Sequence, residues 1–66
     1  MITKRTEEWL SLAEIAAELN VPLRSLYAHR SRGTGPRGHR IGKHVRVRRA
    51  DLLDWLEQQA DTKPAA

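Results

Sequence analysis

The sequence predicts a mainly α-helical domain with one small β-hairpin, in the order helix, turn, helix, hairpin, helix. Three observations support this prediction. Apolar residues recur at helical spacing in three segments. Very few residues separate the first two segments, and alternating β-branched and polar residues precede the third. The 66 residues suffice for one small domain with a marginal core.

The first helix is predicted to begin at about Leu12, where capping and apolar patterns coincide. Ser11 and Glu14 form the S-x-x-E pattern of a capping box, and Leu10 and Ile15 have the spacing of a hydrophobic staple. The apolar face of this helix consists of Leu12, Ile15, Ala16 and Leu19.

The joint Asn20-Val21-Pro22 is so short that the chain must turn sharply between two helices, which is helix-turn-helix geometry. Asn20 tolerates the left-handed conformation that ends a helix, and Pro22 fits the first turn of the next one. We expect Val21 to fill the corner between the helices. The second helix then ends at Gly33. One face of it carries Leu23, Leu26, Tyr27 and Arg30.

A β-hairpin is predicted over about 39–41 and 44–47. Gly42-Lys43 forms its tip, because Gly at the first central position suits a type II′ turn of two residues. One side of the hairpin is expected to be basic and to face outward. The residues expected to face inward are Ile41, Val45 and Val47.

The third helix is predicted in RRADLLDWLEQQ. Asp51 and Asp54 lie near its start, where the helix dipole favours acidic side chains. Arg48 and Arg49 come just before it, and one of them is a candidate to pair with an acidic residue. The apolar stripe of this helix consists of Leu52, Leu53, Trp55 and Leu56.

These elements can share one core and together predict a winged helix-turn-helix, with the hairpin as the wing. We assign residues 9–59 to this domain, 1–8 to a flexible N terminus and 60–66 to a flexible tail. A two-stranded hairpin is marginal alone, so it must pack on the helices. The predicted core consists of Leu10, Leu12, Ile15, Ala16, Leu19, Val21, Leu26, Ile41, Val45, Val47, Leu52, Trp55 and Leu56.

Residues 33–38, GTGPRG, match G-x-G-x-x-G, a pattern that cradles a dinucleotide pyrophosphate when it follows a strand and opens a helix. Here a helix precedes the pattern and a hairpin follows it. We therefore interpret it as the joint between the second helix and the wing. Gly33 ends the helix, Gly35-Pro36 turns the chain, and Gly38 begins the wing strand.

Charge is distributed unevenly along the chain. Residues 22–49 hold nine Lys and Arg and no Asp or Glu, whereas residues 1–21 and 50–66 carry net charges of −2 and −3. Eight of the nine cations are Arg, whose planar guanidinium suits bidentate contacts with phosphate and guanine. The basic segment therefore predicts a nucleic acid, double-stranded DNA, as the partner.

Other classes of protein are not expected. The sequence has no Cys, which excludes disulfides, thiolate zinc sites and a cysteine nucleophile. The spacing of His29, His39 and His44 fits no standard metal-ligand motif. We expect no enzyme activity, cofactor or metal. No apolar run approaches a membrane span, and the N terminus lacks a signal-peptide core, so we expect a cytoplasmic protein without a membrane partner.

From about Trp9 to Leu56 the sequence resembles the excisionase family, small winged-helix proteins with a MerR-like helix-turn-helix. The stretches that carry the resemblance are WLSLAEIAAELNVPLRSLY, the Gly-Pro linker and RIGKHVRVRRADLLDWL, in this order. The resemblance implies an accessory factor of site-specific recombination without covalent chemistry of its own. Such a factor binds short repeated DNA sites near an attachment site, bends the DNA and helps a phage integrase to excise a prophage.

The second helix is the candidate recognition helix, since a helix fits the major groove and its N-terminal residues meet base edges. We expect Leu26 to face the core together with Leu23 or Tyr27. The residues then expected to face outward are Arg24, Ser25 and Ala28.

Each outward residue has an expected role. Arg24 and Ser25 are expected at base edges, and Ala28 allows close approach or touches a thymine methyl. Arg30 and Arg32 are expected to hold phosphates. The alternative for Arg30 is a salt bridge to an acid of another helix.

Further DNA contacts are expected from Tyr27, the linker and the wing. The Tyr27 hydroxyl can reach a phosphate, and its alternative is packing in the core alone. A basic hairpin tip can lie along the backbone or enter the minor groove. The linker and wing candidates are Arg37, Arg40, Lys43, His44 and Arg46.

Two other functions fit the same residues. A small MerR-like transcription regulator would share the fold, and a protein-interaction adaptor would use the basic face for an acidic partner. The acidic first and last segments also suggest that copies side by side on DNA associate head to tail, acidic side against basic wing.

Overall fold

The computed structural model describes residues 8–61. The predicted helices and hairpin are confirmed, and the fold is a winged helix-turn-helix. Parts of both termini expected to be flexible, 1–7 and 62–66, lie outside the described residues. In chain order the elements are β1 (Trp9–Leu10), α1 (Leu12–Leu19), α2 (Leu23–Arg32), β2 (His39–Ile41), β3 (His44–Arg48) and α3 (Arg49–Gln58).

Helix α1 has the start and the end that the sequence predicts. The Glu14 backbone N–H donates to Ser11 Oγ at 3.0 Å, and the Ser11 backbone N–H donates to Glu14 Oε1 at 2.8 Å. Together these bonds form the capping box. At the other end Asn20 is left-handed, with φ 59°, and the Val21 N–H donates to the Ala16 carbonyl at 3.0 Å. The chain can therefore enter α2 after only three residues.

The prediction that Val21 fills the corner between α1 and α2 is wrong. Its backbone closes the end of α1, but its side chain is 37% exposed. It lies at the rim of a groove that also includes Leu19 and Leu56. Leu26, the fourth residue of α2, is buried in the core instead. The left-handed residue Asn20 explains the difference, because it redirects the chain just before Val21.

The wing belongs to a three-stranded antiparallel sheet with the order β1-β3-β2. Trp9 pairs with Arg48, and Leu10 pairs with Val47. Residues paired directly across an antiparallel ladder lie on the same face, so Leu10 joins Val47 on the buried face. Nothing in the sequence pattern predicts β1, because two residues are too few to show an alternation.

The hairpin has the predicted turn but not the predicted inner face. Gly42 has φ 63°, as the first central position of a type II′ turn requires. The register pairs Ile41 with His44, so Ile41 lies on the face opposite Val45 and Val47. Ile41 is 53% exposed, and its predicted place in the core is wrong. Val47 is buried and Val45 half-buried, as expected for the inward face.

The remaining predicted core is confirmed. Leu19 and Leu56 are partly buried and pack against it. Helices α1 and α3 and strand β3 surround this core, and α2 contributes one residue to it. The buried cluster consists of Leu10, Leu12, Ile15, Ala16, Leu26, Val47, Leu52 and Trp55.

A buried ion network joins the residue before β1 to α1 and α3. The Arg49 side chain is 6% exposed. Both of its Nη atoms donate to the Glu18 carboxylate, and Nε donates to Glu8 Oε1 at 3.1 Å. The Arg49 backbone N–H also donates to the Glu8 carbonyl at 2.7 Å. The hydrogen bonds to Glu18, and secondarily those to Glu8, raise the pKa of Arg49 above its ordinary value despite its burial.

The ion network leads to a prediction about two adjacent arginines. Arg49→Met removes the buried partner of two carboxylates and should lower the free energy of unfolding by about 3 kcal/mol. Arg48→Met makes the same chemical change one residue earlier, at a side chain that is 45% exposed and pairs with Asp51. We expect it to cost less than about 1 kcal/mol. Urea denaturation followed by circular dichroism measures both, and equal losses would contradict the role of Arg49.

Candidate nucleic-acid interface

The structure separates the basic residues into paired and unpaired groups. Arg48 and Arg49 form ion pairs with acids, as the sequence suggested for one of them. The other seven cations of 22–49 have no acidic partner among residues 8–61 and lie on α2, the linker and the wing. They are Arg24, Arg30, Arg32, Arg37, Arg40, Lys43 and Arg46.

Five of the predicted site residues lie together around one cleft. It is lined by Tyr27 of α2, by residues of the wing, and by Ser11 and Ala13 at the start of α1. Tyr27 is 55% exposed, so its phenol hydroxyl is free to donate to a phosphate oxygen. We call this the wing cleft. Its predicted site residues are Tyr27, Arg40, Lys43, His44 and Arg46.

Helix α2 presents a different face from the one expected. Leu26 is its buried residue, whereas Leu23 and Tyr27 are exposed, so the expectation that one of these two joins Leu26 in the core is wrong. Arg24 is exposed, as predicted, and Ala28 is half-buried. Ser25 is half-buried and lies in the groove lined by Trp55 and Leu56, away from the wing cleft.

Three other predicted residues lie outside the wing cleft. The Arg30 guanidinium covers Gly38, so that a Cβ at Gly38 would lie 2.9 Å from Nη1. No described residue forms the alternative salt bridge with Arg30. Arg32 is exposed in the last turn of α2. Arg37 lines a separate cleft with Asp51 and Asp54 of α3.

The linker 33–38 is anchored to both neighbouring helices. Trp55 Nε1 donates to the Thr34 carbonyl at 2.8 Å, and His29 Nδ1 is hydrogen-bonded to Thr34 Oγ1 at 2.8 Å. The rings of His29 and Trp55 meet edge to face, with their centroids 5.4 Å apart. Gly35 passes close to α2, since a Cβ there would lie 3.3 Å from His29 Cβ. The linker therefore fixes the wing relative to α2.

The comparison with known families agrees with this geometry. Residues 9–60 match the model of a helix-turn-helix domain. The chain belongs to this helix-turn-helix family. The family binds DNA and includes excisionase-like proteins, so membership supports double-stranded DNA as the partner. A search of curated proteins found no match to the chain.

The three histidines of this helix-turn-helix domain lie in separate places. His29 contacts the linker, and His44 lies in the wing cleft. His39 packs edge to face on Trp9, and its Nε2 lies 3.6 Å from Asp51 Oδ2. Within residues 8–61 no three His, Asp or Glu side chains are grouped so that they could hold a metal ion. Within the same range no helix is long and apolar enough to span a bilayer.

The unpaired cations lead to a prediction about salt. If about five of them contact phosphates, log K for duplex DNA should fall with log salt at a slope of about −4 to −5. Arg40→Gln removes an unpaired cation and should make this slope shallower by about 1. Arg48→Gln removes a cation already paired with Asp51 and should leave the slope nearly unchanged. Fluorescence anisotropy from 50 to 300 mM salt measures the slopes.

Two results would contradict this view of the surface. A slope near zero for the natural chain would show that phosphates are not the ligand. An equal effect of the two substitutions would show that acidic pairing does not decide which arginines reach DNA.

Proposed function

We propose that this helix-turn-helix domain is a sequence-specific DNA-binding and DNA-bending accessory factor, an excisionase that directs an integrase toward prophage excision. The observation that carries the DNA-binding part is the placement of unpaired cations and exposed Tyr27 on α2 and the wing. The recombination part is supported by the resemblance of residues 9–56 to excisionases and by a family that includes such proteins. In this role the protein acts on DNA in the cytoplasm and performs no covalent chemistry itself.

In the proposed complex, α2 enters the major groove and the wing follows the adjacent backbone or minor groove. The wing cleft lies between these two elements, so a DNA strand at the edge of the major groove passes Tyr27, Arg40 and Lys43. Contacts on both sides of this strand favour a bent path. Smooth bending by 40–90° costs on the order of 1–6 kcal/mol, which such additional contacts offset.

A recombination assay tests the excisionase role. Purified protein is added to the cognate integrase and a plasmid carrying both prophage attachment sites, and excised product is counted. We expect excision to require the protein and a circular-permutation gel to show a bend at its site. We also expect Arg40→Gln to support excision less well than Arg48→Gln does. Excision that does not need the protein, together with repression of a nearby promoter, would favour the transcription regulator instead.

We also propose that copies associate head to tail on neighbouring sites. Helix α3 exposes Leu53 beside the acidic residues Asp54 and Glu57, and the wing tip exposes Ile41 near Lys43. These two surfaces are opposite in charge, and each includes an exposed apolar residue. Because they are different surfaces, their contact is heterologous and extends along DNA as an open filament.

Occupancy of adjacent sites tests this association. Analytical ultracentrifugation with duplexes of one, two and three sites should show that a second copy binds more tightly than the first. Glu57→Lys should remove this gain, because it places a cation opposite the basic wing tip, and should leave single-site affinity nearly unchanged. Independent occupancy by the natural chain would contradict the contact.

A further inference from the structure

Helix α2 carries two serines on different faces, and only one of them faces the same way as Arg24. Arg24, Tyr27, Ala28 and Ser31 follow the spacing i, i+3, i+4 and i+7, so they form one stripe along the helix. Ser31 is exposed. Among residues 8–61 no side-chain hydrogen bond uses its hydroxyl. The hydroxyl is therefore available to a ligand that contacts this stripe.

Ser25 differs from Ser31 in its surroundings. It is half-buried and lines the groove between α2 and the end of α3, beside Trp55 and Leu56. A ligand that contacts Arg24 and Tyr27 approaches α2 from another side. The structure thus separates Ser25 from the cations with which the sequence grouped it.

We propose that Ser31 is a specificity-determining residue and that Arg24, Ala28 and Ser31 form the surface that reads the DNA sequence, with the phosphate-contacting Tyr27 at its edge. This inference rests on the proposed DNA-binding function and adds the reading residues to it. A serine hydroxyl can both donate and accept, so it can bond to any base edge in the major groove. The small side chain of Ala28 lets the helix backbone approach the bases between Tyr27 and Ser31.

The length of the stripe matches a short DNA site. Ser31 lies seven positions after Arg24, a rise of about 10 Å along the helix axis. This length exceeds the stacking distance of base pairs, about 3.4 Å, so the two ends of the stripe meet different base edges. Arg24 at the N-terminal end and Ser31 near the C-terminal end therefore read different base pairs.

A matched pair of substitutions tests the inference. Ser31→Ala and Ser25→Ala make the same chemical change on the same helix, and Ala favours helix, so both variants should fold. The probes are the tightest duplex that the natural chain selects from a random pool, its single-base-pair variants and a scrambled duplex. Anisotropy titration at one fixed salt concentration gives each affinity.

We expect Ser31→Ala to weaken the selected duplex about 3- to 10-fold, the loss of roughly one hydrogen bond. It should abolish preference at one base pair and leave the scrambled duplex unchanged. Ser25→Ala should leave every affinity unchanged. Relaxed preference with Ser25→Ala but not with Ser31→Ala would overturn the inference.

Two further outcomes separate the inference from the function on which it rests. An equal loss on selected and scrambled duplexes with Ser31→Ala would overturn the reading role alone, because it indicates a phosphate contact. If the natural chain selected no duplex from the random pool, sequence-specific binding itself would be contradicted, and the reading role with it.

Discussion

The structure depends most on the buried guanidinium of Arg49. It joins Glu8 before β1, Glu18 of α1 and the first residue of α3 in one ion network. A charge this deeply buried is tolerable only with such partners. Since α3 begins directly after β3, the network also fixes the base of the wing. It removes Arg49 from the basic surface and engages two of the acids. Within residues 8–61 the surface cations that remain therefore lie on α2, the linker and the wing.

A second set of contacts orients this surface. Trp55 and His29 both bond to Thr34, in the middle of the linker. Helix α2, the linker and α3 are thus held together, and the wing begins directly after this anchored segment. A GxGxxG pattern that could be mistaken for a cofactor loop instead contributes a helix end at Gly33 and a close approach at Gly35. In the proposed complex, the fixed angle between α2 and the wing lets both contact one DNA duplex.

Much of the fold could be predicted because its signals are local. The capping box at Ser11, the left-handed end at Asn20 and the turn at Gly42 each depend on a few neighbouring residues. The wrong predictions concern positions whose structure depends on contacts between residues far apart in the sequence. Strand β1 exists because β3 pairs with it, and Val21 lies at the rim of a groove that α3 completes. The wrong prediction for Ile41 was avoidable, since a turn of two residues places Ile41 on the same face as His44. The proposed role of Ser31 follows from its spacing with Arg24 only once Leu26 is known to be the buried residue of α2.

The proposed DNA interface is tested most directly by an NMR titration of the ¹⁵N-labelled chain with a duplex that carries one selected site. We expect shifts of amide signals along the α2 stripe from Arg24 to Ser31 and in the wing from Arg40 to Arg46. Amide shifts on α3 around Leu53 and Glu57 should be small, since a duplex with a single site binds no second copy that could contact this face. Large shifts on α3 with an unperturbed α2 and wing would contradict the proposed interface.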